Sequence, residues 1–434
     1  MKLSPFLLVE GEKRGRTIMG EFDELDTVFD RFFEGANIFK AREVLRHDYI
    51  PSSFPHREEQ IRCIGEIVAP LLRRSRCSNI FIYGKPGTGK TAVVKYVLNR
   101  LVAKAHEFGA PVKASYINCR LAGTEYRVLS HLCTALCIPV PFTGLAVGEV
   151  FDRFRDGVDL HKMLLLVVLD EIDALVKARG DMLLYELTRI NEVLLKSKIS
   201  LLGISNDLRF KEFLDPQVLS SLSEEEVVFK PYDAAGLRKI LRERAKLAFR
   251  NDVLSDGVID LCAALAAAEH GDARRALDLL RVAGELAKRE ECPTVTQAHV
   301  RQAEKRIEHD RVTEALRNLP LHSKLVLCSV YLLSLKTNDC AITGNIYEIY
   351  SELCGQVRLR PLTQRRVSGL INELDAIGLL NARVVSMGRY GRTKKIHIGI
   401  SRNAVQEAFN SDERLEHLIS YTPKCLAYSS SRRH

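Results

Sequence analysis

Short apolar runs alternate with longer amphipathic stretches between about residues 80 and 230. Apolar runs bounded by polar or glycine positions are typical of buried strands, and the stretches between them have helical spacing. Because strands that alternate with helices form parallel sheets, we expect a sheet with helices on both faces and each strand buried on both faces. The five predicted strands are Ile80–Tyr83, Ala114–Cys119, Leu164–Leu169, Ser200–Ser205 and Val227–Lys230.

The pattern changes on either side of this region. Residues 1–40 are charged and weakly patterned, which predicts a flexible N-terminal tail. Downstream of the last strand, Asp233 can cap a helix that begins at Ala234, and helical spacing continues to about residue 310. The segment from Asn381 to Ile400 alternates around a glycine-rich basic tip and predicts a β-hairpin.

Composition adds two constraints. The chain has 434 residues, enough for two to four domains, and its net charge of +9 is a mild excess whose location matters more than its size. Its apolar runs are too short for a signal peptide or a membrane span, so we expect a soluble cytoplasmic protein with no membrane partner. The eleven cysteines are scattered and show no paired CxxC spacing, which favours buried thiols over a zinc site.

The segment GKPGTGKT, residues 84–91, matches the pattern G-x-x-x-x-G-K-[ST]. Glycines let the backbone wrap around a phosphate with its N–H groups pointing inward, and the dipole of the following helix faces the same anion. Lys90 would bind the β- and γ-phosphates, and the Thr91 hydroxyl can ligate Mg²⁺. A glycine-rich turn could match by chance, but a strand before it and a helix after it favour a phosphate loop. The expected ligands are ATP or ADP with Mg²⁺.

Polar residues follow the next strands at the edge where a nucleotide would lie. Asp170 ends the third strand, where it can hold Mg²⁺, and Glu171 is a candidate to orient or deprotonate the attacking water. The alternative is that these acids only solvate a strand end, and we assign Asp173 that structural role. Asn206 ends the fourth strand and could hydrogen-bond the γ-phosphate or the water, although such an asparagine is often only a turn residue.

The order of the phosphate loop, LDEID, GISND, PYD and GDARRAL resembles that of the AAA+ ATPases. More narrowly, residues 40–400 are similar to the archaeal replication initiators that combine features of the origin-recognition subunit and the helicase-loading factor. The resemblance implies an α/β AAA+ fold with a five-stranded parallel sheet, a helical lid domain and a C-terminal winged-helix domain. The implied ranges are 1–40 for the tail, 41–230 for the AAA+ domain, 231–312 for the lid and 313–434 for the winged helix.

The resemblance also implies roles for individual residues. It makes residues 48–61 the lining of the adenine site and places Tyr232 and Arg244 near the nucleotide, with Arg274 as a lid sensor. For Arg244, a solvated basic helix face explains the surrounding run RKILRERAK equally well. The implied nucleotide-binding residues are Gly87, Thr88, Gly89, Lys90, Thr91, Tyr232 and Arg244. The implied catalytic residues are Lys90, Asp170, Glu171, Asn206 and Arg274, with Thr91 and Asp170 as metal ligands.

One position departs from the family pattern. Relatives commonly carry an arginine after the Asp-Pro pair in the segment corresponding to DPQVLSSLSEEE, where it can reach the nucleotide of a neighbouring subunit. This chain has Gln217 there, and glutamine has no charge to stabilise a transferring phosphoryl group. We therefore expect slow ATP hydrolysis, long-lived ADP and weak stimulation between copies of the chain.

The positive charge is concentrated near the C-terminus. From Arg358 to Lys395 there are nine Lys and Arg residues against two Asp and Glu. Thr363 can cap a helix whose N-terminal turns present Gln364, Arg365 and Ser368 outward, as helix-turn-helix modules do in the major groove. The hairpin that follows would make a winged helix, with Arg389 and Arg392 on phosphates or in the minor groove. The alternative is a basic face on a protein-binding winged helix.

A second DNA contact is suggested within the AAA+ domain. Residues 139–154, PVPFTGLAVGEVFDRF, resemble an initiator-specific helix that faces DNA in the family. Thr143 and Arg127 are the candidate phosphate contacts, although a plain helix N-terminus would also explain Thr143.

The function expected from these features is ATP-dependent initiation of DNA replication in the nucleoid. The expected partners are double-stranded origin DNA, the replicative helicase and, on DNA, homologous initiator subunits. Two alternatives stay open: a DNA-binding regulator that retains ADP as a structural cofactor, and a mobile-element AAA+ ATPase.

Overall fold

The structure is a computed structural model that describes residues 38–141, 143–222, 224–336, 341–386, 392–410 and 412–424. The chain divides into two compact units, Met1–Arg301 and Gln302–His434. Each unit has its own core of buried aliphatic and aromatic side chains.

The first unit begins with an α/β layer. Its strands are β1 (Ile80–Gly84), β2 (Val112–Asn118), β3 (Leu164–Asp170), β4 (Lys198–Ser205) and β5 (Glu225–Phe229). Its helices are α1 (Glu58–Val68), α2 (Lys90–Glu107), α3 (Cys119–Ala122), α4 (Glu125–Ala135), α5 (Val147–His161), α6 (Ile172–Arg179), α7 (Met182–Arg189) and α8 (Pro216–Leu222). Short 3-10 turns lie at Arg42–Leu45, Ala69–Arg73, Ile190–Glu192 and Phe210–Phe213.

The five strands form one parallel sheet in the order β2-β3-β4-β1-β5. All five predicted strands are confirmed, and their ends move by at most two residues. The expectation that every strand is buried on both faces holds for β3 and nearly so for β1 and β4. It is wrong for β2 and β5, because edge strands leave positions such as Lys113 and Glu226 exposed.

The lid completes the first unit with α9 (Ala234–Ala248), α10 (Val258–Ala268), α11 (Ala273–Arg289) and the first part of α12 (Gln297–Arg317). The predicted cap is confirmed, since the Asp233 carboxylate accepts from the Gly236 N–H at 2.7 Å. Ile38 is buried, and the Phe39 ring lies 4.8 Å from the Phe249 ring at the end of α9. The described fold therefore begins a few residues before the predicted domain start at residue 41.

The second unit contains the rest of α12, followed by α13 (Leu321–Lys336), β6 (Ala341–Ile342), α14 (Thr343–Gln356), α15 (Gln364–Ala376), β7 (Leu380–Ser386), β8 (Arg392–Ile398), α16 (Arg402–Asn410) and α17 (Glu416–Ile419). Strands β6, β8 and β7 form an antiparallel sheet in that order, which confirms the predicted hairpin. Its tip, with Arg389, lies outside the described residues, as does the side chain of Arg392. In the described part of the chain, no helix combines the length and apolar character needed to cross a bilayer.

Candidate nucleotide site and DNA-facing surfaces

A single cleft in the first unit gathers the residues predicted to bind and act on a nucleotide. It lies where the phosphate loop, the carboxyl ends of the strands, lid helices α9 and α11 and the segment of residues 46–55 meet. Ligands of open α/β sheets bind at this end of the strands. The predicted residues that line the cleft are Gly87, Thr88, Gly89, Lys90, Thr91, Asp170, Glu171, Asn206, Tyr232, Arg244 and Arg274.

The phosphate loop needs glycine at two positions. Gly87 and Gly89 have φ values of 73° and 89°, in the left-handed region that L-residues rarely adopt. A Cβ on Gly87 would also lie 1.7 Å from an Asp272 carboxylate oxygen, so only glycine lets the Asp272 side chain of the lid pack against the loop here. Helix α2 begins directly after Gly89, which leaves its first N–H groups directed at the loop.

Lys90 is a buried cation at the centre of this loop. Its ammonium donates to the carbonyls of Gly84 at 2.7 Å and Lys85 at 2.8 Å, and the residue is 5% exposed. Burial lowers the pKa of Lys90 from 10.5 to about 8, and the nearby Asp170 carboxylate opposes this only in part. A buried cation held by carbonyl dipoles at a helix N-terminus suits an anionic ligand, so the residues present fit a nucleotide phosphate.

The Asp170 carboxylate is held by three donors. One oxygen accepts from the Thr91 hydroxyl at 2.8 Å and the Tyr116 hydroxyl at 2.6 Å, and the other accepts from the Glu171 N–H at 2.9 Å. Burial, and then the hydrogen bond to Asp170, raises the pKa of Tyr116, so the phenol stays protonated and donates. A carboxylate and a hydroxyl in contact are oxygen ligands of the kind that Mg²⁺ prefers.

Glu171 is engaged by two neighbours instead of standing free in the cleft. Its oxygens accept from the Asn118 amide and the Arg120 guanidinium, both at 3.3 Å. Its backbone has a φ of 52°, in the left-handed region, at the turn from β3 into α6. Each oxygen accepts one hydrogen bond and keeps a further lone pair, so the two neighbours orient the carboxylate and leave it able to accept from water.

Asn206 lies at the end of β4 beside Asp173. The Asp173 carboxylate accepts from the Ser205 hydroxyl at 3.1 Å and from the Asn206 N–H at 3.2 Å. These bonds give Asp173 a structural role, since it fixes the backbone that presents Asn206 to the cleft.

The lid side of the cleft is built around a helix start. The Asp272 carboxylate caps α11 and accepts from the Arg274 N–H at 2.7 Å, which sets the exposed Arg274 side chain at the mouth of the cleft. Tyr232 is buried, and its N–H donates to the Gly271 carbonyl at 3.2 Å. The backbone around Tyr232 is thereby tied to the turn that starts α11.

Arg244 is not on a solvated face. It is 7% exposed, and its guanidinium donates to the carbonyls of Val44 at 3.0 Å and Tyr49 at 3.3 Å. The guanidinium carbon also lies 4.4 Å from the centre of the Tyr49 ring. The alternative of a solvated face is therefore wrong for this residue, which holds the segment that lines the cleft opposite the phosphate loop.

The candidate recognition helix of the second unit is α15. The predicted cap is confirmed, because the Thr363 hydroxyl accepts from the Arg366 N–H at 3.4 Å. Gln364 and Arg365 are exposed in the first turn, as expected. Ser368 is only partly exposed, and its hydroxyl accepts from the Lys394 ammonium of β8 at 3.0 Å. Ser368 is therefore outward in part, and its contact with DNA stays a prediction.

The candidate DNA contacts of the first unit, Thr143 and Arg127, are both exposed. Thr143 is exposed, but α5 begins only at Val147, with Ala146 as its cap residue and no side-chain capping bond. The alternative explanation of Thr143 as a helix cap is therefore wrong. Arg127 is exposed near the start of α4.

Three family descriptions match consecutive parts of this chain, and proteins of known family resemble it over nearly its whole length. The description "AAA domain" matches residues 73–205, "Cdc6 AAA+ ATPase-type lid domain" matches residues 238–305, and "CDC6, C terminal winged helix domain" matches residues 314–408. An ORC1-type DNA replication protein of Thermococcus onnurineus is 50% identical over 400 residues, which cover 91% of this chain and 96% of the relative. The ORC1-type DNA replication protein 1 of Archaeoglobus fulgidus is 49% identical over 394 residues, covering 91% of this chain and 96% of the relative.

The chain belongs to the family of ORC1-type DNA replication proteins. The structure of the Aeropyrum pernix ORC1 protein in complex with DNA matches with a TM-score of 0.79 and 50% identity, over 88% of this chain and 99% of that one. The Aeropyrum pernix ORC2 protein, described with ADPNP and ADP, shares the fold at 22% identity and a TM-score of 0.56, over 88% of this chain and 98% of that one. The expected combination of AAA+ domain, lid and winged helix is confirmed.

Within this ORC1-type chain, Gln217 has a cationic neighbour. The Arg189 guanidinium at the end of α7 donates to the Gln217 side-chain oxygen at 3.2 Å, and both residues are exposed. The Arg189 guanidinium also lies 4.8 Å from the centre of the Tyr185 ring. A positive charge is therefore present beside the position where the family commonly carries arginine, although on a different helix.

The lid of the ORC1-type chain also contains a cluster of potential metal ligands: Glu290, Cys292 and His299. The His299 Nδ1 accepts from the Thr296 N–H at 3.0 Å, so Nε2 carries the proton and donates to Glu290 at 3.1 Å. These bonds account for the buried histidine without a metal.

Proposed function

We propose that this ORC1-type protein is an ATP-dependent initiator of DNA replication that binds duplex origin DNA and switches state with its nucleotide. The observation that carries the proposal is the cleft, where Lys90, Thr91 and Asp170 converge on a phosphate loop that the lid touches. Mg²⁺, when bound, would neutralise phosphate charge, and the oxygens of Thr91 and Asp170 are the groups that would hold it.

The chain's own residues divide the work of hydrolysis among them. Lys90 binds phosphate charge, Asn206 and Arg274 orient the far end of the nucleotide, and Glu171 accepts the proton of the attacking water. Asn118 and Arg120 hold the Glu171 carboxylate by one hydrogen bond on each oxygen, which would orient it for this step. The uncharged Gln217 cannot stabilise a transferring phosphoryl group, so we propose slow hydrolysis of ATP and long retention of ADP.

The uncharged Gln217 also favours the alternative of a DNA-binding regulator with a structural ADP. Single-turnover hydrolysis by the wild type and by Glu171→Gln separates the two. An initiator that uses ATP as a switch hydrolyses the bound ATP slowly, and the variant fails to do so. A wild type that hydrolyses no ATP beyond the level of the variant would instead support the regulator.

DNA binding is proposed to use both units. Gln364 and Arg365 at the start of α15 would read the major groove, and the hairpin between β7 and β8, with Arg389 and Arg392, would contact phosphates or the minor groove. Thr143 and Arg127 would add phosphate contacts from the first unit. The related Aeropyrum pernix ORC1 protein, which was solved in complex with DNA, supports this proposal.

The remaining partners follow from the proposed role. An initiator that has bound duplex DNA must bring the replicative helicase to it, so we propose that this chain recruits or loads that helicase. Homologous initiator subunits on the same DNA are proposed as further partners.

A nucleotide-resolved footprint on genomic DNA, repeated with ATP and with ADP, tests the function as a whole. We expect protection that clusters at one origin-like repeat and that changes in extent with the nucleotide. Arg365→Ala should weaken protection within each site. Protection spread evenly over the genome, or identical with ATP, with ADP and without nucleotide, would contradict the proposal.

A further inference from the structure

Arg57, within residues 48–61, carries a buried charge beside the phosphate loop. It lies directly before α1 and is 4% exposed. Among the described residues, its hydrogen bonds go to backbone carbonyls and it takes part in no ion pair. Burying a guanidinium is costly unless its N–H groups are satisfied, so these carbonyls must hold it firmly.

The carbonyls belong to three separate segments of the first unit. Nε donates to Thr88 in the phosphate loop at 3.0 Å, and Nη2 donates to Lys230, just after β5, at 2.6 Å. Nη1 donates to the neighbouring His56 at 3.3 Å. The guanidinium carbon also lies 4.0 Å from the centre of the Tyr232 ring, at stacking distance.

Two of these segments, the phosphate loop and the connection from β5 to the lid, are the parts that we expect to respond to a bound nucleotide. Thr88 lies inside the loop whose N–H groups face the phosphates. Residues 230–232, which we call the lid hinge, connect β5 to the lid, and Tyr232 is bound to Gly271 directly before the start of α11. A displacement of the Thr88 carbonyl is therefore opposed by the same rigid, planar side chain that holds the hinge.

We propose that Arg57 is a positioning residue that couples the phosphate loop to the lid hinge. Phosphate binding fixes the loop, and Arg57 passes this constraint to the hinge, which orders the start of α11 and Arg274. The inference rests on the proposed nucleotide function of the cleft. Lysine cannot replace Arg57, because a compact ammonium has neither the separate Nε and Nη2 donors that reach Thr88 and Lys230 nor a plane that stacks on Tyr232.

Hydrogen exchange measured by mass spectrometry, with and without ADP and Mg²⁺, tests the coupling in Arg57→Lys. Arg62→Lys is the matched control, since Arg62 lies on α1 and is exposed. In the wild type and the control, we expect ADP to slow exchange both in α2 and at residues 230–237. In Arg57→Lys, ADP at saturation should still slow exchange in α2, while its effect at residues 230–237 should fall about five-fold or more.

If ADP slows hydrogen exchange at residues 230–237 as much in Arg57→Lys as in the wild type, the proposal is overturned and Arg57 only stabilises the core. If thermal melting shows that Arg57→Lys does not fold, Tyr232→Leu removes the stacking partner instead, and unchanged coupling there would overturn the proposal equally. A wild type that binds ADP and protects α2 but not the hinge would also overturn it. A wild type that binds no ADP would refute the nucleotide function itself, which is a different result.

Discussion

The substitution Lys90→Met should separate ligand binding from stability at the phosphate loop. In the absence of nucleotide, burial disfavours the charged form of Lys90, and two carbonyl groups accept hydrogen bonds from its ammonium. Met has a similar length and no charge. We therefore expect this substitution to remove the strongest phosphate contact without destabilising the nucleotide-free protein.

The magnitude follows from the pKa of Lys90. A fall from 10.5 to about 8 corresponds to roughly 3 kcal/mol against the charged form in the folded state at neutral pH. Met would recover this free energy but lose two hydrogen bonds from a charged donor, at about 1.5 kcal/mol each. The gain and the loss nearly cancel, so we expect the free energy of unfolding to change by less than about 1 kcal/mol, while nucleotide affinity should fall about 100-fold.

The pKa of Lys90 also defines the direction in which the free energy of unfolding changes with pH. Between pH 8 and pH 10.5 the folded protein binds fewer protons at Lys90 than the unfolded chain does, so this residue makes stability rise with pH in that window. The cost of the charge is fully present below about pH 8. Chemical denaturation of the whole nucleotide-free chain measures this. The free energy of unfolding of the first unit should be higher at pH 9.5 than at pH 7 in the wild type, and this difference should be absent in Lys90→Met.

Lys104→Met is the matched control for Lys90→Met. Lys104 lies on the same helix but is exposed, with its ammonium paired with Glu107 and 5.9 Å from the centre of the Phe108 ring, so we expect its change in unfolding free energy to stay within about 0.5 kcal/mol and its nucleotide affinity to match the wild type. A loss of about 2 kcal/mol or more in nucleotide-free Lys90→Met would refute the reasoning, because it would show that the buried ammonium stabilises the fold.

Three further predictions concern binding and turnover. ADP affinity should fall as pH rises above about 8, because Lys90 then loses its proton in the nucleotide-free protein but keeps it when phosphate is bound. Calorimetric titration from pH 6.5 to 9.5 measures this affinity, and a flat profile would count against Lys90 as a phosphate ligand. Glu171→Gln should reduce single-turnover hydrolysis by about 100-fold or more with ADP affinity unchanged, and loss of ADP binding would instead indicate a structural role. Arg365→Ala should weaken binding to an origin-like repeat about 10-fold and weaken binding to unrelated duplex much less, and an equal loss on both duplexes would place Arg365 away from the base edges.

Much of the cleft could be predicted because its residues occupy fixed places along the chain. A phosphate loop must follow β1, and an acidic pair must follow a later strand, so local sequence is enough to find Lys90, Asp170 and Glu171. The caps at Asp233, Asp272 and Thr363 are local as well, because each bonds to an N–H two or three residues ahead of it.

The partners that set the state of the cleft could not be predicted in the same way. Tyr116 reaches Asp170 only because β2 pairs with β3, and Arg57 reaches Thr88 and Lys230 only once the chain has folded around it. Both are single residues in segments that otherwise fit a strand and a helix start. The partner of Ser368 is hidden for a related reason, since helical spacing does not show that Lys394 of a later strand donates to its hydroxyl.

The central claim is that residues 84–91 and Asp170 form a site for a purine nucleotide with Mg²⁺. Calorimetric titration of the purified, nucleotide-stripped chain with ADP and with ATP, in the presence of Mg²⁺, tests it most directly. We expect saturable binding of one nucleotide per folded chain, strongly weakened in Lys90→Met and preserved in Lys104→Met. No measurable affinity of the folded wild type for either nucleotide would show that this cleft is not a nucleotide site, whatever DNA the second unit binds.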